Sequence, residues 1–269
     1  MASSDMVVIG DNNYRNFINP TVDGELKACS SKGMWNRTLT PDPEGYAGTF
    51  EDLESVPMIP ESEWGDRIRQ MEKDKTRMPD FAKDMGLAIR NQRNSSYCWS
   101  FGTTRSAEYA LLQTGINMHI SAFSVGAPVK NFRNQGGWGD QALAYMAKNG
   151  FNTSDEWDDS KGSGSISRKY YTDENRALAK KRVVLEYYKL RTGRNGWAEL
   201  VSCILAGKAV AVGYNFWSHL VCATWLEQNM DLGIDNSWGQ GWSDGGRGLL
   251  TGGRKFPDGA VVINTVLAV

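Results

Sequence analysis

The spacing of apolar residues changes once along this chain, and that change restricts the fold. Between Glu61 and Asn149 they recur at helical intervals. A charged helix is predicted over Glu61–Lys75, with Trp64, Ile68 and Met71 on one face. A second, of about four turns, begins at Cys98, carries Ala107, Leu111 and Leu112, and stops at Gly115. A third runs over Asp140–Asn149 and stops at Gly150. From Arg182 onward the runs are β-branched and aromatic. Strands are predicted over Arg182–Leu190, Ala209–Tyr214, His219–Trp225, Leu232–Asn236, Gly248–Leu250 and Ala260–Leu267, with one short helix over Gly196–Ala206. Helices first and strands afterwards give an α+β fold, not alternating βαβ units. Met78–Phe81 reads as a connector, and Ile116–Val129 as apolar but irregular. Ser154–Ser167, acidic and then Gly/Ser-rich, reads as a seam between domains. The expected division is an extension over 1–78, a helical half over 79–153 and a β half over 154–269.

Residues 1 to about 60 are punctuated by Asn12-Asn13, Asn19-Pro20, Pro41-Asp42-Pro43 and Ile59-Pro60, without a sustained period. Met34-Trp35, Tyr46 and Phe50 make this arm more aromatic than a solvated linker needs. It is expected to be held by the protein's own body or by a neighbouring chain, in a homo-oligomer or a larger assembly. A net charge of −1 gives no electrostatic case for nucleic acid or an anionic membrane. No apolar run reaches about 18 residues, the length that would span a bilayer. The first residues lack the basic-then-apolar pattern of a secretory signal, so a cytoplasmic or particle-associated location is expected. Four cysteines without a CxxC pair, and only two histidines, argue against a disulfide framework or a zinc site. No metal or other cofactor is expected.

The most chemically loaded stretch is Asn91-Gln92-Arg93-Asn94-Ser95-Ser96-Tyr97-Cys98-Trp99-Ser100-Phe101. A cysteine at a helix N-terminus sits among unpaired N–H groups and the positive end of the dipole, which favour thiolate. A thiol nucleophile also needs a base. His119 lies past the far end of that helix, roughly 25 Å along the chain's path, and is expected to be a loop or surface histidine. His219 begins a strand, and the next strand ends in Asp235-Asn236-Ser237-Trp238-Gly239-Gln240-Gly241-Trp242. An amide on a neighbouring strand holds an imidazole in one tautomer. Asp235 and Asn236 are adjacent and point to opposite faces, so only one of them can orient the ring.

These residues resemble the papain/cathepsin family of cysteine peptidases over about 79–269. Gln92…Cys98-Trp99-Ser100-Phe101 is similar to the family's Gln…Cys-Trp-Ala-Phe, and Gln135-Gly136-Gly137 to its Asn-Gly-Gly loop. Asn236-Ser237-Trp238-Gly239-Gln240-Gly241-Trp242 matches Asn-Ser-Trp-Gly-x-x-Trp. The resemblance implies a two-domain fold with a helical left domain and an antiparallel β right domain, the site lying in the cleft between them. It implies Cys98 as nucleophile, His219 as its ion-pair partner and Asn236 as the orienter of the imidazole. Trp238 would cover that contact, Gln92 and the Cys98 N–H would form the oxyanion hole, and Gly136 and Gly137 would pair with the backbone of a peptide or protein substrate.

The chain departs from that pattern in its loops. Ser95, Ser96 and Tyr97 stand where the family has Cys-Gly-Ser, and Asn134 where the first of those cysteines finds its disulfide partner. Cys29, Cys203 and Cys222 are then expected to be free thiols, with Cys222 facing away from the site. Tyr97 is expected either to narrow the cleft or to point to solvent. The short stretch Lys208–Ser218 removes loop length from one wall. Residues 1–78 read as a divergent pro-segment or a permanent arm. Two functions follow from this: a peptidase, or a structural or binding component of a larger assembly, such as a virus or phage particle, with weak or no activity.

Overall fold

A computed structural model describes residues 6–17, 21–22, 25–26 and 48–268. Its strands are β1 (Val7–Ile9), β2 (Thr21–Val22), β3 (Glu25–Leu26), β4 (Gly48–Thr49), β5 (Arg182–Lys189), β6 (Val210–Tyr214), β7 (His219–Leu226), β8 (Leu232–Asp235), β9 (Arg247–Leu250) and β10 (Gly259–Ala268). Its α-helices are α1 (Glu61–Asp74), α2 (Met78–Asp84), α3 (Cys98–Leu112), α4 (Ala122–Val129), α5 (Gly139–Asn149), α6 (Asp173–Ala179) and α7 (Trp197–Leu205). The α+β reading holds: helices dominate before residue 180 and strands after it. No helix among the described residues is long and apolar enough to cross a membrane.

Eight strands form one sheet in the order β1-β9-β8-β7-β6-β10-β5-β4. Neighbours from β9 to β5 are antiparallel, and only the two outermost pairings are parallel. The strands β6, β7 and β8 are buried throughout, which is why they read as continuous apolar runs rather than alternating ones. Alternation instead divides the side chains of β6, β7 and β10 between two cores. Ala211, Leu220, Val261 and Ile263 join the core built on α3, α4 and α5, while Val210, Val212, Val221 and Val262 join one built on α1 and α7.

The described parts of the N-terminal arm belong to this body. Val7–Ile9 pairs with Gly248–Leu250 along one edge of the sheet, and Gly48–Thr49 pairs with Tyr188 and Lys189 along the other. Both open edges are thereby covered. Ile9, Phe50, Leu53, Val56 and Ile59 are buried in the α1/α7 core. For these segments the holder is the chain's own sheet; Met34, Trp35 and Tyr46 lie outside the described residues.

Three helices escaped the sequence reading. Ile116–Val129 is not irregular: Ser121 accepts from the Ser124 N–H and starts α4. Met78 opens α2 with Pro79 in its first turn, and Thr172 caps α6 through the Asn175 N–H. Each has only seven or eight residues, too few for a period to declare itself.

Helix α3 starts at Cys98, as expected, but it is not a half-exposed amphipathic helix. Every residue from Cys98 to Leu112 except Ala110 is buried. Its polar side chains find partners inside: Ser100 Oγ donates to the Ala122 carbonyl, Ser106 Oγ to the Ala209 carbonyl, and Arg105 pairs with Glu108 and Asp235. Gly102 lets it cross β7 closely, since a Cβ there would meet Leu220 Cδ2 at 2.4 Å and the Val221 backbone at 3.2 Å.

Candidate active site

Two loops distant in sequence are stitched together where α3 begins. The Gly239 N–H donates to the Arg90 carbonyl (3.0 Å) and the Gln92 N–H to the Ser237 carbonyl (2.7 Å). Asn91 and Trp238 form an isolated antiparallel bridge between them. Gln92 is fully buried. Its Nε2 donates to the Ser95 carbonyl at 2.8 Å, and Ser237 Oγ donates to its Oε1. The Ser95 N–H and Oγ both return to the Gln92 carbonyl, closing a tight turn three residues before Cys98.

The residue after β8, Asn236, meets the first residue of β7. Asn236 Oδ1 lies 2.7 Å from His219 Nε2 and also accepts the Ser237 N–H at 2.7 Å. A backbone N–H only donates, so the atom shared by both contacts is the amide oxygen. Nε2 of His219 therefore carries a hydrogen, and in the neutral ring the lone pair lies on Nδ1. The rings of Trp217 and Trp238 each lie with centroids 4.8 Å from the imidazole and shield this contact from water. Trp217 comes from the short turn before β7, so the wall that lost loop length gained an indole.

Burial pulls the His219 pKa down to about 4, against the opposing pull of the Asn236 hydrogen bond. That is below the ordinary 6.5, so the stability contributed by the neutral ring is complete above pH 6.5 and is lost as pH falls toward 4, because the unfolded chain takes up the proton first. The melting temperature of His219→Gln is expected to fall less steeply than that of the parent across this window. Parallel slopes in a thermal titration would exclude it.

Cys98 is the first residue of α3 and is fully buried. Its sulfur is held in a disulfide. One turn further along the helix, Gly102 rests on Leu220, the residue after His219. Trp99 Nε1 donates to the Gln135 carbonyl at 3.2 Å, and the Trp99 ring fills the space a Cβ of Gly137 would need, at 2.5 Å. The Gly136-Gly137 loop is thus laid against the residue next to Cys98. Hydrogen bonds and ring contacts join Gln92, Asn236, His219 and Trp238 in one continuous set, with Cys98 and Gly137 attached through α3.

Tyr97 neither narrows a cleft nor points to solvent. It is fully buried, packed on Trp99, Phe123 and Gly126, and its hydroxyl donates to the Arg133 carbonyl at 2.9 Å. The reason is steric: α4 presents Gly126 there, which leaves room for the ring. Asn134, at the position of the missing bridge partner, joins the same two loops non-covalently. Its Oδ1 accepts the Ser96 N–H at 2.7 Å and its Nδ2 donates to the Asn94 carbonyl at 3.2 Å.

His119 is partly exposed, with Nδ1 3.7 Å from Glu108 Oε1. The chain doubles back along α3, yet Glu108 is ten residues beyond Cys98, roughly 15 Å along the helix. Cys203 and Cys222 are buried free thiols, and Cys222 pairs across the sheet with Asp235; Cys29 lies outside the described residues. Asp235 leaves the histidine to Asn236 and turns to Arg105, Arg247 and Tyr109. The sequence held a signal for that cluster, Arg105 and Glu108 three residues apart in an otherwise uncharged helical stretch, but not for Trp217 or for the Asn134 clamp. Among the described residues no group of three or more His, Cys, Asp or Glu is placed to hold a metal ion.

No family model matches the chain, and no curated protein matches it. Solved structures do. Xylellain, a cysteine protease from Xylella fastidiosa, superposes with a TM-score of 0.56 at 14% identity over 66% of this chain and 82% of that one. The digestive procathepsin L 3 of Tenebrio molitor larval midgut gives 0.51 at 18% identity, over 65% of each chain. The proform of the ragweed pollen allergen Amb a 11, a cysteine protease, gives 0.53 at 16% identity, over 66% of this chain and 63% of that one. At these identities the likeness is one of fold.

Proposed function

We propose that this papain-like fold carries a cysteine-type peptidase whose nucleophile is Cys98. The observation that carries the reading is the His219 Nε2 to Asn236 Oδ1 contact of 2.7 Å, which leaves Nδ1 as the basic nitrogen of a buried ring. In this reading the sulfur is first released from its disulfide by exchange with a small thiol, which takes its place on the partner sulfur. The freed thiolate raises the pKa of His219, so that the ring takes up a proton and pairs with it, and the thiolate attacks the scissile carbonyl. The developing oxyanion is met by Gln92 Nε2 and the Cys98 N–H at the start of α3. His219 returns its proton to the leaving amine, the C–N bond breaks, and a thioester remains on Cys98. Water, deprotonated by His219, hydrolyses that thioester. Gly136 and Gly137 pair with the substrate backbone as an added strand. The alternative reading, a structural or binding component of a larger assembly with weak or no activity, draws on the disulfide that occupies the Cys98 sulfur.

Full-length protein is to be assayed against a fluorogenic peptide library before and after treatment with dithiothreitol, with Cys98→Ala as control. Cleavage is expected only in the reduced parent. Silence of the reduced parent, together with slow alkylation of Cys98 at an ordinary thiol pKa of about 8.5, would sink the proposal.

A further inference from the structure

Behind Asn236 lies a buried ionic cluster that the peptidase reading leaves unused. Asp235, the preceding residue, receives four side-chain donors. Its Oδ2 accepts from Arg105 Nε at 2.9 Å and from the Tyr109 hydroxyl at 2.7 Å; its Oδ1 accepts from Arg247 Nε at 3.0 Å and from Thr224 Oγ1 at 3.4 Å. Arg105 also donates to the Leu87 and Ala88 carbonyls and to Glu108 Oε2, and Glu108 Oε1 takes Arg90 at 2.9 Å. The cluster thus ties α3, β7, β8, β9 and the segment leading to Gln92 to one carboxylate. Such a saturated carboxylate is costly to disturb, because Arg105, Tyr109 and Thr224 are buried and Arg247 is only partly exposed, so a lost acceptor is poorly replaced by water.

Asn236 itself is held at only one end. Its Oδ1 takes His219 and the Ser237 N–H, but its Nδ2 is buried and makes no hydrogen bond within the protein. Asn236 and Ser237 border a cavity of about 20 Å³ whose other walls include Gly102, Arg105 and Asp235. That volume accommodates one water, and the walls are polar enough to hold it.

We propose that Asp235 is a positioning residue for the His219–Asn236 pair: the cluster fixes the strand end that carries Asn236, and one water in this cavity accepts from Asn236 Nδ2 and passes the contact on to the polar wall formed with Asp235. With both ends engaged the amide cannot turn over. A turned amide would present N–H to His219, force the opposite tautomer and move the lone pair off Nδ1. The effect on turnover rests on the peptidase reading; the effect on the ring does not.

The chain has only two histidines, so ¹⁵N spectra of histidine-labelled full-length protein contain two ring pairs, assigned with His119→Gln. The parent is expected to show His219 as the Nε2–H tautomer, and the Asn236 side-chain amide protons a cross-peak to a long-lived water. In Asp235→Asn that cross-peak is lost, the Nε2–H fraction falls, and kcat drops about tenfold, a fraction of what a base ordinarily contributes, while KM stays within about twofold. Tyr109→Phe, which removes one donor and no volume, moves the same readouts less and decides the matter if Asp235→Asn fails to fold. Folded variants whose His219 ring signals equal those of the parent overturn the proposal, even where turnover falls. Altered ring signals in a protein that cleaves no peptide support the positioning role and count against the peptidase reading alone.

Discussion

Gln92→Glu is expected to lower kcat for peptide cleavage by about 10² to 10³, the usual cost of one lost oxyanion donor, with KM changed by no more than a few fold. The substitution keeps nearly the same shape. The carboxylate still accepts from Ser237 Oγ, so the link between the Gln92 turn and the Asn236 loop survives. What disappears is the Nε2 donor, and the atom put in its place is negative and faces a developing negative charge. Gln92→Ala makes the same loss of donor but also strips Ser237 of its acceptor. The two variants are expected to agree in kcat and both to melt below the parent, the glutamate because it sets a buried carboxylate oxygen against the Ser95 carbonyl and the alanine because it leaves the Ser237 hydroxyl without its acceptor. A loss below about threefold in a folded Gln92→Glu protein, assayed under reducing conditions, would remove Gln92 from the oxyanion site and leave it as a loop brace.

Deleting residues 1–60 is expected to abolish folding rather than release activity. The arm supplies the edge strands β1 and β4 and buries Ile9, Phe50, Leu53, Val56 and Ile59. Five such side chains, at about 1.5–3 kcal/mol each, reach about 7–15 kcal/mol, as large as the whole stability of a typical domain, about 5–15 kcal/mol. The truncated chain is therefore expected in the insoluble fraction, or without a cooperative melt by circular dichroism. A soluble truncated protein with a sharp transition would show that the arm is separable. A pro-segment removed whole fits poorly with strands woven into both edges of the sheet.

The α+β class, the start of α3 at Cys98, and the places of His219 at the head of one strand and Asn236 just past the end of the next were legible because each rests on local signals: a period, a glycine stop, an apolar run. The motifs around Gln92, Cys98, Gly136, Gly137, Asn236 and Trp238 pointed to one chemistry, and those placed on contacts here fall around the junction of α3 with β7 and β8. Short helices were not legible, since α2, α4 and α6 are shorter than the window a period needs. The sequence by itself determined which residue types stand at a helix start and at two strand ends. Tertiary structure decided their surroundings. Whether Tyr97 enters the cleft depended on Gly126 of another helix, and whether a bridge was needed depended on Asn134 reaching two backbone groups 38 and 40 residues away. That Asp235 serves Arg105 while Asn236 serves His219 follows from the alternation of a strand, but the partners on each face come from elements scattered across more than 140 residues. Contacts of that range leave no periodic trace in a chain, because they are chosen by packing, not by neighbours in sequence.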